Sequence, residues 1–169
     1  GAGSASHSDA GAGLVSSAVG AAVAAHRQRG SHPAGLEVDA VRTIIEAALV
    51  AAREQLAAMA AARQLTLADH ACTLVGVVAD ARGGWFFHVG DGVAACEFAP
   101  PQPAAVSLPA NGEYANETWF VTGGNWREQL RLTRFAGSVQ AIVLMSDGVQ
   151  PFAMTRDGSG LFQPFIAPV

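Results

Sequence analysis

The chain has 169 residues, half of them hydrophobic, a net charge of −4 and no lysine, so all ten basic residues are arginines. Those arginines are scattered, which argues against a nucleic-acid groove or a docking face for anionic membranes, and two cysteines, Cys72 and Cys96, are too few for a disulfide framework. A chain this long can bury roughly 70% of its unfolded surface; with no basic-then-apolar leader and no apolar run near the roughly 18 residues of a membrane span, it reads as soluble and cytoplasmic.

Residues 1–10, GAGSASHSDA, are small and polar and predict a loop. Ser8 or Asp9 can cap a first helix running to about Arg29, with Leu14, Ala18, Ala21 and Ala25 on one stripe and Gly30 as its stop. After the turn SHPAG, Val38, Val41, Ile45, Leu49, Ala52, Leu56 and Met59 recur at helical spacing and predict a second helix over about 37–63. Both helices are rich in alanine, which allows close packing against a sheet. The pattern then turns β-like. ACTLVGVVAD (71–80), WFFHVGD (85–91) and VAACEFA (93–99) predict an antiparallel meander whose second turn, around Gly92, is very tight. The proline-rich segment 100–116 predicts a surface loop. TWFVTG predicts a short strand, WREQLRLTRF a strand or a helical turn, and VQAIVLMS the best buried strand of the chain. The tail GSGLFQPFIAPV predicts irregular structure or the start of a helix. Helices segregated from antiparallel strands indicate an α+β sandwich rather than alternating βαβ units.

Two acidic turns share one form. HVGDGVAA (88–95) and LMSDGVQP (144–151) each run a hydrophobic strand into Asp-Gly. Asp-Gly alone is ordinary turn chemistry. Here both pairs follow runs expected to be buried, and a carboxylate at a buried edge needs a counter-charge. With no lysine and few arginines nearby, a divalent cation is the natural partner of Asp91 and Asp147. Magnesium and manganese take carboxylate, carbonyl and water oxygens.

These blocks, together with GAGSASHSDAG at the start, ACTLVGVVA and NGEYANETWFVT, occur in an order that resembles the metal-dependent Ser/Thr protein phosphatases of the type 2C (PPM) class, most of all their compact bacterial branch. The resemblance covers residue 1 to about Asp157. It implies two packed antiparallel sheets flanked by helix pairs, an α-β-β-α sandwich, spanning residues 1–169 as a single domain that lacks the first and last motif-bearing strands. It implies two or more Mn2+ or Mg2+ ions in a cleft at one edge, held by the carbonyl of Gly1 and by the carboxylates of Asp91 and Asp147. Asp147 is the catalytic ligand in this comparison, and Asp91 serves an additional, weaker ion. The implied reaction is hydrolysis of phosphoserine and phosphothreonine in proteins by a metal-activated water, with a phosphorylated protein as partner, a cognate Ser/Thr kinase beside it, and neither nucleic acid nor membrane. The chain also departs from that pattern. The family's phosphate-gripping arginine has no counterpart, the bridging aspartate would precede Gly1, the closing aspartate would follow Val169, and Ala2 stands where many eukaryotic members carry histidine. A catalytically inactive pseudophosphatase that binds a phosphoprotein or partner is the alternative, and a bare α+β interaction domain is a third reading.

Other candidates carry less. GAGSAS has no preceding strand and no GK[ST], so a nucleotide loop is discounted. Neither cysteine has an arginine six residues on, which removes a cysteine phosphatase. His70 and Cys72 lack the other ligands of a zinc site. His88 reads as a packed core histidine with a supporting role near Asp91 as its rival, and Arg127, Arg131 and Arg134 as a solvated face.

Overall fold

A computed structural model describes residues 2–28, 30, 32–109 and 118–166. Alanine-rich sequence gives two long helices, α1 (Ser8–Gln28) and α2 (Val38–Ala62), with a 3-10 turn at Pro33–Gly35 between them. Their bounds lie within a residue or so of the sequence expectation. The α2 stripe Val41, Ile45, Leu49, Ala52 and Leu56 is buried together with Val15 and Val19 of α1. At Gly11 the helix α1 meets the 67–70 turn so closely that a Cβ would lie 2.1 Å from the His70 carbonyl oxygen.

Among the described residues, α1 is long and apolar enough to cross a membrane by length and composition alone, with a mean hydropathy of 1.2. That differs from the expectation that no run approaches a span. Alanine, with Leu14 and three valines, raises the average although large apolar residues are few, and the stripe Gly11, Val15, Val19 is taken up in packing.

Six strands form two antiparallel sheets. The first holds β1 (Leu74–Asp80), β2 (Gly83–Val89) and β5 (Arg131–Ala136) in the order β1-β2-β5; the second holds β4 (Ala105–Ser107), β3 (Val93–Phe98) and β6 (Val139–Met145) in the order β4-β3-β6. Alternation along β2 explains the layering. Trp85, Phe87 and Val89 pack on the helix pair, and Phe86 points at the second sheet, where it stacks on Phe135 with ring centroids 4.3 Å apart among Ala94, Cys96 and Phe98. The outer face of the second sheet, Val93, Ala95 and Met145, is covered by Ala153, Met154 and Leu161 beside the single-turn helices α4 (Gln150–Ala153) and α5 (Gln163–Ile166). The architecture is therefore the expected α+β sandwich, with a long helix pair on one side and two short turns on the other. Cys72 and Cys96 are free and buried, as expected, and burial pushes both thiols up to about 11.

Four local expectations are corrected. β3 does not pair with β2; the chain crosses to the other sheet between them, so the three strands are not a meander. The proline-rich segment contains β4, paired with β3. Residues 118–123 form turns rather than a strand, while 126–136 form first the helical turn α3 (Trp126–Gln129) and then β5. The most buried strand is β2, covered on both faces, whereas β6 is an edge strand buried only at Met145.

Candidate metal centre

The crossing from β2 to β3 is residues 90–92. Gly90 has φ 109°, and a Cβ there would lie 2.4 Å from Thr73 Cγ2, so both conformation and space demand glycine. Asp91, half-buried, sits on this crossing, and the Thr118 hydroxyl donates to its Oδ2 at 2.9 Å. Asp147 follows the end of β6 and is exposed. The two carboxylates, which leave strands of different sheets, line one cleft of about 280 Å3 with Ala2, Gly3, Ser4, Thr73, Thr118, Phe120 and Ser146.

Backbone hydrogen bonds hold the walls. Ala2 N–H donates to the Ala71 carbonyl at 3.0 Å and Val121 N–H to the Cys72 carbonyl at 2.8 Å, so residues 2–4 and 118–121 run on either side of Thr73. Arg53 of α2 reaches beneath the second wall, donating to the carbonyls of Val121 and Gly123. Its guanidinium lies over the Trp126 ring, 5.8 Å from the centroid. A larger apolar groove of about 620 Å3 lies by α4 and α5, but no carboxylate lines it.

The cleft's donors are all oxygens: two carboxylates, four hydroxyls and nearby carbonyls, with no imidazole or thiol. That set suits a hard cation such as Mg2+ or Mn2+ and not zinc. Among the described residues no three His, Cys, Asp or Glu side chains gather, so the described cleft offers two charged ligands and otherwise neutral oxygens. Thr118→Val is expected to weaken Mn2+ binding about 10-fold by calorimetry, because the hydroxyl that fixes Asp91 is lost.

The structure brings Asp91 and Asp147 together; Gly1 lies outside the described residues. The reason first given for Asp147 needs correction. Its carboxylate is not at a buried edge, because β6 is itself an edge strand and the turn is open to solvent. Gly148 is not sterically required either, since a Cβ there would meet nothing within 4 Å. Thr118, Thr73, Ser146 and Ser4 are not named as site residues by the sequence reading, although all four lie in the quoted motifs. The three arginines do not form one face. Arg127 lies over Trp126, Arg131 donates to the Leu108 carbonyl and Arg134 to the Ala34 carbonyl.

His88 is 1% exposed, and burial holds its pKa below the ordinary 6.5. The unfolded chain therefore binds a proton near pH 6 that the folded chain refuses, so stability is full above 6.5 and falls as pH drops. Urea midpoints of metal-free protein are expected to decline between about pH 6.5 and 5, above the usual carboxylate range, and His88→Asn should flatten that segment.

Residues 1–169 match the protein phosphatase 2C family, and the chain belongs to it. A curated relative, Serine/threonine-protein phosphatase 3 of Escherichia coli (strain K12), is 29% identical over 116 residues, which is 69% of this chain and 46% of the relative. The chain thus spans about half the length of that protein. No solved structure matches it at a significant level.

Proposed function

We propose that the protein hydrolyses phosphoserine and phosphothreonine in protein substrates, using divalent cations held in the cleft of Asp91 and Asp147. One observation carries this reading: two carboxylates, one on the β2–β3 crossing and one after β6, line the same oxygen-rich cleft in a chain of the protein phosphatase 2C family. Mn2+ or Mg2+ supplies there an activated water and neutralisation of phosphate charge. Asp147, open to solvent and lining the cleft, would hold the ion at its mouth. Asp91 is held by Thr118 through one oxygen, which orients the carboxylate towards the cleft. Ala2 lines the same cleft and has no proton to give, so the leaving serine or threonine oxygen takes its proton from water. The relative's name supports a serine/threonine substrate, and a Ser/Thr kinase would supply it. The buried, reduced Cys72 and Cys96 accord with a cytoplasmic setting.

The test is hydrolysis of a phosphothreonine peptide. Turnover is expected with Mn2+ and should vanish in excess chelator, returning when the ion is restored. Equal turnover in chelator would remove the metal mechanism, and peptide binding without turnover would establish the pseudophosphatase alternative.

A further inference from the structure

The buried space between the sheets is apolar except at one point. His88, on β2 opposite Val75 and Arg131, turns its ring into this layer. Its Nδ1 lies 3.1 Å from the Gly92 carbonyl oxygen and its Nε2 3.0 Å from Ser107 Oγ, which in turn is 2.8 Å from Thr133 Oγ1. The donor order follows from the groups themselves. A carbonyl only accepts, so Nδ1 carries the proton. The neutral ring then accepts at Nε2 from the Ser107 hydroxyl, and that oxygen is free to accept from Thr133. The chain of bonds links β5 of the first sheet and β4 of the second to one end point, the carbonyl immediately after Asp91.

That end point matters because, among the described residues, the crossing is otherwise pinned by contact and by one side chain. Gly90 is wedged against Thr73 and the Trp119 carbonyl, and Thr118 holds the Asp91 carboxylate. Gly92 lies against Val75 and the Met145 carbonyl, at 3.1 and 3.3 Å from where a Cβ would stand, and Val93 pairs with Met145. Met145 is two residues before Asp147. The position of the Gly92 peptide therefore sets both the direction of Asp91 and its spacing from Asp147.

We propose that His88 is a positioning residue for the cleft: through the Gly92 carbonyl, with Ser107 and Thr133 holding the ring's far side in place, it holds the 90–92 crossing where Asp91 can reach a divalent cation. This rests on the reading above that Asp91 helps to hold such an ion. A histidine that merely fills space could be replaced by any side chain of similar volume. A positioning histidine needs a donor at Nδ1, and the amide nitrogen of asparagine stands close to that place.

The test compares His88→Leu and His88→Asn by Mn2+ calorimetry and by amide hydrogen exchange of the metal-free protein. His88→Leu is expected to weaken the Asp91-dependent binding about 10-fold and to speed exchange at residues 91–94, whereas His88→Asn should stay within about 3-fold of the parent. In an Asp91→Asn background the His88→Leu loss should disappear, because the two residues act on one ion. Equal losses in leucine and asparagine variants, or an unchanged leucine variant, would overturn the role. So would a loss that persists without Asp91. If His88→Leu fails to fold, Ser107→Ala carries the test, with a smaller loss in the same direction expected and no loss counting against the proposal. An Asp91→Asn protein that binds Mn2+ as the parent does would sink the metal reading and this role together; an Asp91→Asn effect without a His88 effect would sink this role alone.

Discussion

Asp147→Asn is expected to lower Mn2+-dependent phosphopeptide hydrolysis by about 10^3-fold or more, because the ion's contribution to the transition state is several kcal/mol and each 1.4 kcal/mol is tenfold. The same substitution should leave the unfolding midpoint of the metal-free protein within about 0.5 kcal/mol of the parent, since Asp147 is an exposed turn residue. The split between the two measurements is what makes the result informative. A core residue would lose both, and an ordinary surface aspartate neither. Retention of full turnover would mean that the acidic turn after β6 is only a turn.

The largest stability effect is expected at Phe86. It is 0% exposed, is the largest of the fully buried side chains among the described residues, stacks on Phe135 of its own sheet and joins the layers by packing among Ala94, Cys96 and Phe98 of β3. Phe86→Ala removes that ring and leaves a cavity between two sheets that cannot easily collapse, at a cost of about 3–5 kcal/mol. Against a total stability of about 5–15 kcal/mol this is a large fraction. Urea denaturation should show the midpoint falling with little change in slope. A loss below about 1 kcal/mol would mean that the sheets repack over the gap.

The extent of both helices was legible, and on α2 a local period and the tertiary contacts agree: Val41, Ile45, Leu49 and Leu56 are apolar at helical spacing and buried on one face. On α1 the expected stripe Leu14, Ala18, Ala21, Ala25 is not the buried one, which is Gly11, Val15 and Val19, because an alanine- and glycine-rich helix offers neighbouring stripes of similar size. Asp91 and Asp147 as neighbours were implied by the resemblance of the ordered motifs, since an apolar run ending in Asp-Gly says nothing by itself about which other turn lies beside it. The link between β2 and β3 was not legible. Three residues between two apolar runs look alike whether the chain doubles back or passes to another layer, and only Gly90's backbone and the strand register separate the two. β4 was hidden because three residues among prolines carry no period of their own; its partner β3 defines it. Thr118 was missed because its bond to Asp91 spans 27 positions and leaves no local trace. His88 was weighed as core, and it is core; what the sequence could not show is that its ring ends on the peptide after Asp91.

The seating of Asp91 on the strap that joins the two layers, across from the turn after β6, has a mechanical consequence. An ion gripped by both carboxylates would tie that strap to the end of β6, so lifting the strap and unloading the cleft would be one event. Cation occupancy would then add RT ln(1 + [L]/Kd) to the strap's resistance to opening.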